Sequence, residues 1–347
     1  MRRRIVIGSV VIAVVLAGVG LWWLQRPEEP RADVGWVLVG AEQGDDAFSE
    51  EIRLPWAEAT VSVGAPQQAI GSADDRLRAP EDGSLVRVSL ELGDALSRPL
   101  RRDVPLSAPS VELVVGERSY PLAGLAEGAV LGGDSYLMTS FSRTVAVAGS
   151  DPDVAVRITL AGESMTVSAD GVDAGRFAEL ASLPALGDED GTALDCGEPR
   201  LPPGVSSPRD EPWLNGRCSA GLSVRTPFVD GVGWAAEGSE WMIVDLTVDV
   251  PFELRKDGVG VRYSEDARDS LTLLAAHDND ELRVVPLDEG PWRAGYLDSF
   301  AVEVPRGEGA QLQAQVRTVS SRAESTYRDA GGMRYTWNLT LGEPADE

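Results

Sequence analysis

Leu85-Val86-Arg87-Val88-Ser89-Leu90-Glu91-Leu92 is the stretch that decides the fold. Successive side chains of an extended chain point to opposite faces, so Val86, Val88, Leu90 and Leu92 share one side while Arg87, Ser89 and Glu91 take the other. This is the pattern of a strand with one face on a core and the other in water. Past Pro30 the chain repeats it in short alternating runs separated by Gly, Pro, Asp and Asn clusters, and hardly any stretch keeps a helical period. The reading is all-β, a sandwich or barrel. Further strands are expected at Gly35 to Val39, Thr60 to Val63, Val111 to Val115, Thr144 to Ala148, Val154 to Leu160 and Met165 to Ser168. Seven such runs fill one immunoglobulin-like unit. One short helix is expected at Ala174 to Ser182, with Asp173 as N-cap and Phe177 and Leu180 on one face.

The second half repeats the order. Trp241 to Val250 alternates Met242, Val244, Leu246, Val248 and Val250 against Asp245, Thr247 and Asp249, and it follows Glu237-Gly238-Ser239 as Leu85 follows Asp82-Gly83-Ser84. Ser270 to Ala275 matches Ser110 to Val115, and Tyr296-Leu297 with Ser299-Phe300 echoes Tyr136-Leu137 with Ser140-Phe141. A nearly constant offset between such pairs points to an internal duplication, the alternative being two all-β domains that share generic strand patterns. The expected organisation is an anchor over residues 1–30, a first β-sandwich over 31–184, a polar linker over 185–194 and a second sandwich over 195–347.

Met1-Arg2-Arg3-Arg4 precedes Ile5 to Leu24, which carries no charge and as a helix would span about 30 Å of hydrocarbon. A cleaved signal peptide competes with a retained transmembrane anchor, but its apolar region is shorter and ends in small residues, whereas this one runs into Trp22-Trp23. The arginine flank puts the N-terminus in the cytoplasm and the rest of the chain outside, a single-pass protein of the cell membrane.

An anchored leader, a loop ending in Glu-Gly-Ser and the strand Trp241-Met242-Ile243-Val244-Asp245-Leu246-Thr247-Val248 resemble the immunoglobulin-like extracellular domains of unknown function on Gram-positive bacterial surfaces. Val250-Pro251 and Leu92-Gly93 stand where such domains often carry Asn. The resemblance implies two tandem immunoglobulin-like sandwiches and an extracellular location; it implies no activity.

Composition excludes several chemistries. The chain has 347 residues with 31 Lys+Arg, 56 Asp+Glu, one His and two Cys. One His and two Cys fall short of a zinc site of three or four N/S ligands. A net charge of -25 argues against a nucleic-acid partner, whose phosphates need clustered cations. Residues 1–30 carry four Arg against two Glu, so the remainder is more acidic still. No cofactor is expected; carboxylates in turns leave calcium as the candidate metal, with Asp278 and Asp280 as the first pair to consider. A solvated turn accounts for the same residues.

Cys196 and Cys218 are too far apart for a redox pair and, on the oxidising side of a membrane, read as a disulfide closing a proline-rich loop. In the Trp241 strand the positions that should face water begin with Trp241 and Ile243. Two large apolar side chains there need a cover. The candidates are the disulfide loop with Trp213, the first domain, or a separate protein, and the loop is favoured because it lies just upstream. Trp213, Trp241 and Ile243 are therefore the candidate interaction surface. The expected function is a non-enzymatic, membrane-tethered extracellular binding or assembly protein with a protein partner at the cell surface. The alternative is an extracellular hydrolase using acidic residues; a concave pocket with converging carboxylates would favour it.

Overall fold

The computed structural model describes residues 30–40, 45–72, 76–96, 108–125, 140–183, 192–197, 200–201, 203–206, 217–249, 253–256, 259–263, 268–288, 297–319, 323–324 and 334–341. Over these residues the chain is all-β apart from one short helix. No helix among them is long and apolar enough to cross a membrane, and Ile5 to Leu24 lies outside the described residues.

In the first unit the strands Asp46–Leu54, Ala57–Gly64 and Gly83–Ala95 form a meander, and Ser140–Ala148 pairs with the far side of Gly83–Ala95. Val37–Val39 lies at the edge beyond Ser140–Ala148. The facing sheet runs in the order Arg118–Pro121, Ser110–Val115, Val154–Leu160, Glu163–Ser168, Gly171–Asp173. Alternation sends Val61, Val86, Val88, Leu90 and Val145 of one sheet and Leu113, Val156, Ile158 and Met165 of the other into a single core. The strand read as Leu85 to Leu92 is thus real and longer, and its Arg87, Ser89 and Glu91 face outward.

The second unit follows the same plan. Arg217–Thr226, Ser239–Asp249 and Leu297–Pro305 lie side by side, with Thr192–Leu194 and Val284–Pro286 at the two edges. The facing sheet has the order Asp280–Glu281, Arg268–His277, Gln311–Val319, Arg334–Leu341. Met242, Val244, Leu246, Phe300 and Val302 meet Leu273, Ala275, Leu312, Ala314 and Val316 in its core. A further small sheet joins Val205–Ser206, Glu253–Lys256, Val259–Tyr263 and Ala323–Glu324. The correspondence holds register by register: Val86 pairs with Val145 as Met242 pairs with Val302.

The connectivity departs from the constant-type immunoglobulin order, in which the second and third strands lie in opposite sheets. Here the first three long strands of the first unit are consecutive neighbours in one sheet. The expected helix is a 3₁₀ helix, Gly175–Ser182, and its N-cap is Ala174 with no side-chain cap, not Asp173. Phe177, Leu180 and Leu183 are all buried, and their spacing of three is the 3₁₀ period. The sequence reading missed Asp46–Leu54, because Glu50 takes a place in the inward series of Phe48, Ile52 and Leu54 and breaks its apolar alternation.

Gly83 shows why the approach to the central strand is glycine. A Cβ there would lie 2.5 Å from the Val147 carbonyl oxygen and 2.8 Å from Pro80 Cβ.

Candidate functional site at the joint between the units

Trp241 is completely buried, and so is Ile243. The register is the one expected: Met242 and Val244 point into the sandwich core, while Trp241 and Ile243 lie on the other face. That outer face is covered by Val229, Ala235 and Leu287, with Ala301 beside them on the sheet. The cover is a hairpin, Phe228–Val229 against Gly233–Trp234, that folds back over the strand. Trp241 Nε1 donates to the Gly233 carbonyl at 3.0 Å, so the polar edge of the indole is satisfied within the cover. The Arg283 guanidinium lies 5.0 Å from the ring centroid.

Among the described residues the cover is this hairpin, and no described residue of the favoured disulfide loop belongs to it. Cys196 and Cys218 are bonded as expected, but both contact the sandwich core on the opposite face. Cys218 pairs with Val248, whereas Trp241 pairs with Thr226, seven residues or about 23 Å along the strand. Trp213 lies outside the described residues. At the other end of the loop, Gly197 has φ +49°, and a Cβ there would come within 2.7 Å of the Thr340 carbonyl oxygen.

The outer side of the same hairpin reaches the first unit. Phe228 belongs to the first unit's core. Trp234 Nε1 donates to the Leu160 carbonyl at 3.0 Å, and its ring meets Phe177 and Phe228 edge-on, each at 5.1 Å between centroids. Arg176 lies over the Trp234 ring at 5.2 Å and donates to the Ala235 carbonyl at 2.9 Å. Arg306 of the second unit pairs with Glu179 of the first at 2.6 Å. One seven-residue hairpin thus closes two hydrophobic clusters at once. Asp230-Gly231 at its tip, a strong hairpin signal, is the sequence cue that would have located it.

An open groove of about 470 Å³ lies on the first unit, lined in part by Glu51, Arg53, Glu58, Thr60 and Asp94. Glu51 and Thr60 are cross-strand partners, as are Arg53 and Glu58. Arg53 reaches Glu58 at 2.6 Å and donates to the Ala181 carbonyl at 2.7 Å, tying the groove to the 3₁₀ helix. Glu58 is therefore a strut, and Glu51 and Asp94 are the exposed carboxylates of the groove.

Asp278 and Asp280 belong to a tight turn. Asp278 and Asn279 both have positive φ, 50° and 73°, and connect Arg268–His277 to Asp280–Glu281 with His277 paired to Asp280. This is the conformation of a two-residue type I′ hairpin, which Asp and Asn tolerate. Both carboxylates are exposed. Among the described residues no group of three or more His, Cys, Asp or Glu is placed to hold a metal ion. His277 itself is engaged, with Nε2 2.6 Å from a Glu308 carboxylate oxygen and Nδ1 3.1 Å from the Gly309 carbonyl.

In comparison with known proteins, no family model, no curated protein and no solved structure matches this chain.

Proposed function

We propose that this protein is a non-enzymatic extracellular binding or assembly protein held at the cell membrane by Ile5 to Leu24, its two immunoglobulin-like sandwiches fastened to each other by the Phe228–Trp234 hairpin. The immunoglobulin likeness is one of architecture, two facing sheets around a core, and not of strand order. The observation that carries the reading is the joint. The Phe228–Trp234 hairpin spends its apolar side chains on fastening one unit to the next. A scaffold that presents its faces at a set distance from a membrane needs such a fixed joint. A protein partner at the cell surface is the occupant this acidic exterior suits best, because nucleic acid and anionic polymers are repelled by it.

Protease shaving of intact cells, with membrane fractionation, tests the topology. The full chain should sediment with membrane and lose its sandwiches to external protease; a soluble form beginning near residues 18 to 26 would overturn the anchor. Crosslinking in native membranes then tests for a partner.

The groove supports the second reading, an acid-residue hydrolase, because three carboxylates line it. Its openness and the Arg53–Glu58 strut argue against the buried, unequal pair such chemistry uses. Turnover of a glycan substrate by the purified chain that disappears in both Glu51→Gln and Asp94→Asn would establish it.

A further inference from the structure

We infer that the Val34–Val39 edge of the first unit is a lipid-contact surface that seats the first sandwich on the bilayer interface; this rests on the anchor reading above. Among the described residues the exposed large apolar side chains include Val34, Trp36, Val37 and Val39, all within six positions. Val39 is 71% exposed. Residues 34–40 carry no charge, in a chain where a quarter of the residues do.

The placement of these side chains distinguishes lipid from a protein strand. Val37 is paired with Val145, whose side chain points into the core, so Val37 and Val39 lie on the core side at the sheet's edge. Trp36 accepts a backbone bond from Ala146, whose side chain belongs to a cluster on the outer face. Apolar groups therefore project from both faces of one edge. Adding a strand would use the backbone ladder, but the edge strand is only three residues long and is bracketed by Gly35 and Gly40, both at positive φ. Short, interrupted edges resist strand addition. Immersion in an apolar medium, by contrast, takes up side chains on both faces.

The position in the fold and the length of the tether point the same way. In the second unit the outer face of the central strand is closed by the hairpin after its first long strand, together with the edge strand Val284–Pro286. The first unit closes Leu85 with matching parts, the Ala69–Ile70/Leu77–Arg78 hairpin and Ala32 beside the Val37–Val39 edge. In the second unit this end docks on the unit that precedes it. What precedes the first unit is the uncharged span. From Leu24 to Pro30 is six residues, at most about 20 Å of chain, so the edge cannot lie far from the interface where Trp is favoured.

The test uses the full chain in phosphatidylcholine vesicles, with V39C labelled by an environment-sensitive fluorophore and T272C, an exposed position of the second unit, as reference. The expected result is severalfold stronger quenching of V39C than of T272C by nitroxide lipid, with severalfold weaker quenching by iodide. Iodide quenching of V39C equal to that of T272C, on protein that floats with the vesicles, overturns the inference and leaves the anchor standing. Shielding from both quenchers assigns the edge to a second copy or a partner chain and likewise overturns it. Protein that fails to float overturns the anchor reading itself.

Discussion

Replacing Trp234 with Ala tests whether the two sandwiches behave as one body. The indole N–H donates to the Leu160 carbonyl, a bond that contributes about 1 kcal/mol. The ring makes edge-on contacts with Phe177 and Phe228, each contributing about 0.5–1.5 kcal/mol beyond buried area. Arg176 over its face adds about 0.5–1 kcal/mol. Together these come to about 2.5–5 kcal/mol, comparable to the range for Trp→Ala. Because Trp234 is carried by the second unit's hairpin and packs on the first unit's core, the loss should fall on the coupling of the two units. Calorimetry and urea unfolding of the purified chain should show one cooperative transition in the wild type and two in W234A. Trp234→Phe should keep much of the ring contact and lose only the donor, destabilising by about 1 kcal/mol. If W234A keeps a single transition within about 0.5 kcal/mol of the wild type, the hairpin is not what fastens the units, and the reasoning fails.

Two further outcomes follow from the packing. The native chain should show no free thiol until it is denatured and reduced, and Cys196→Ser with Cys218→Ser should cost about 3 kcal/mol in urea unfolding, the loop-closure value for the residues enclosed; a stoichiometric thiol in the native protein would count against the bond. Gly83→Ala should destabilise the first unit by about 1–3 kcal/mol, because its Cβ would meet the Val147 carbonyl and the Pro80 ring, and an unchanged urea midpoint would contradict this close approach.

Whatever alternation and spacing encode was legible before any contact was known. Val86, Val88 and Leu90 on one side, and Met242, Val244, Leu246 and Val248 in the second half, set strand, register and buried face, because a period of two leaves only one way to bury them. The sequence showed equally that Trp241 and Ile243 would lie on the outer face and need a cover. Two lone cysteines sufficed for the disulfide.

What covers Trp241 depends on contacts between segments that no local pattern links. The Phe228–Trp234 hairpin follows directly on Thr226, the cross-strand partner of Trp241, whereas the disulfide itself stands opposite Val248, about 23 Å along the strand. The joint has the same origin. Phe228, Trp234, Phe177 and Arg176 are separated by up to 58 positions, and no local pattern ties residues so far apart. That Asp278 and Asn279 form a tight turn was an expectation from composition, and their positive φ shows it. Local periodicity tells a residue which way to face; what it faces is set by the chain's return from a distance.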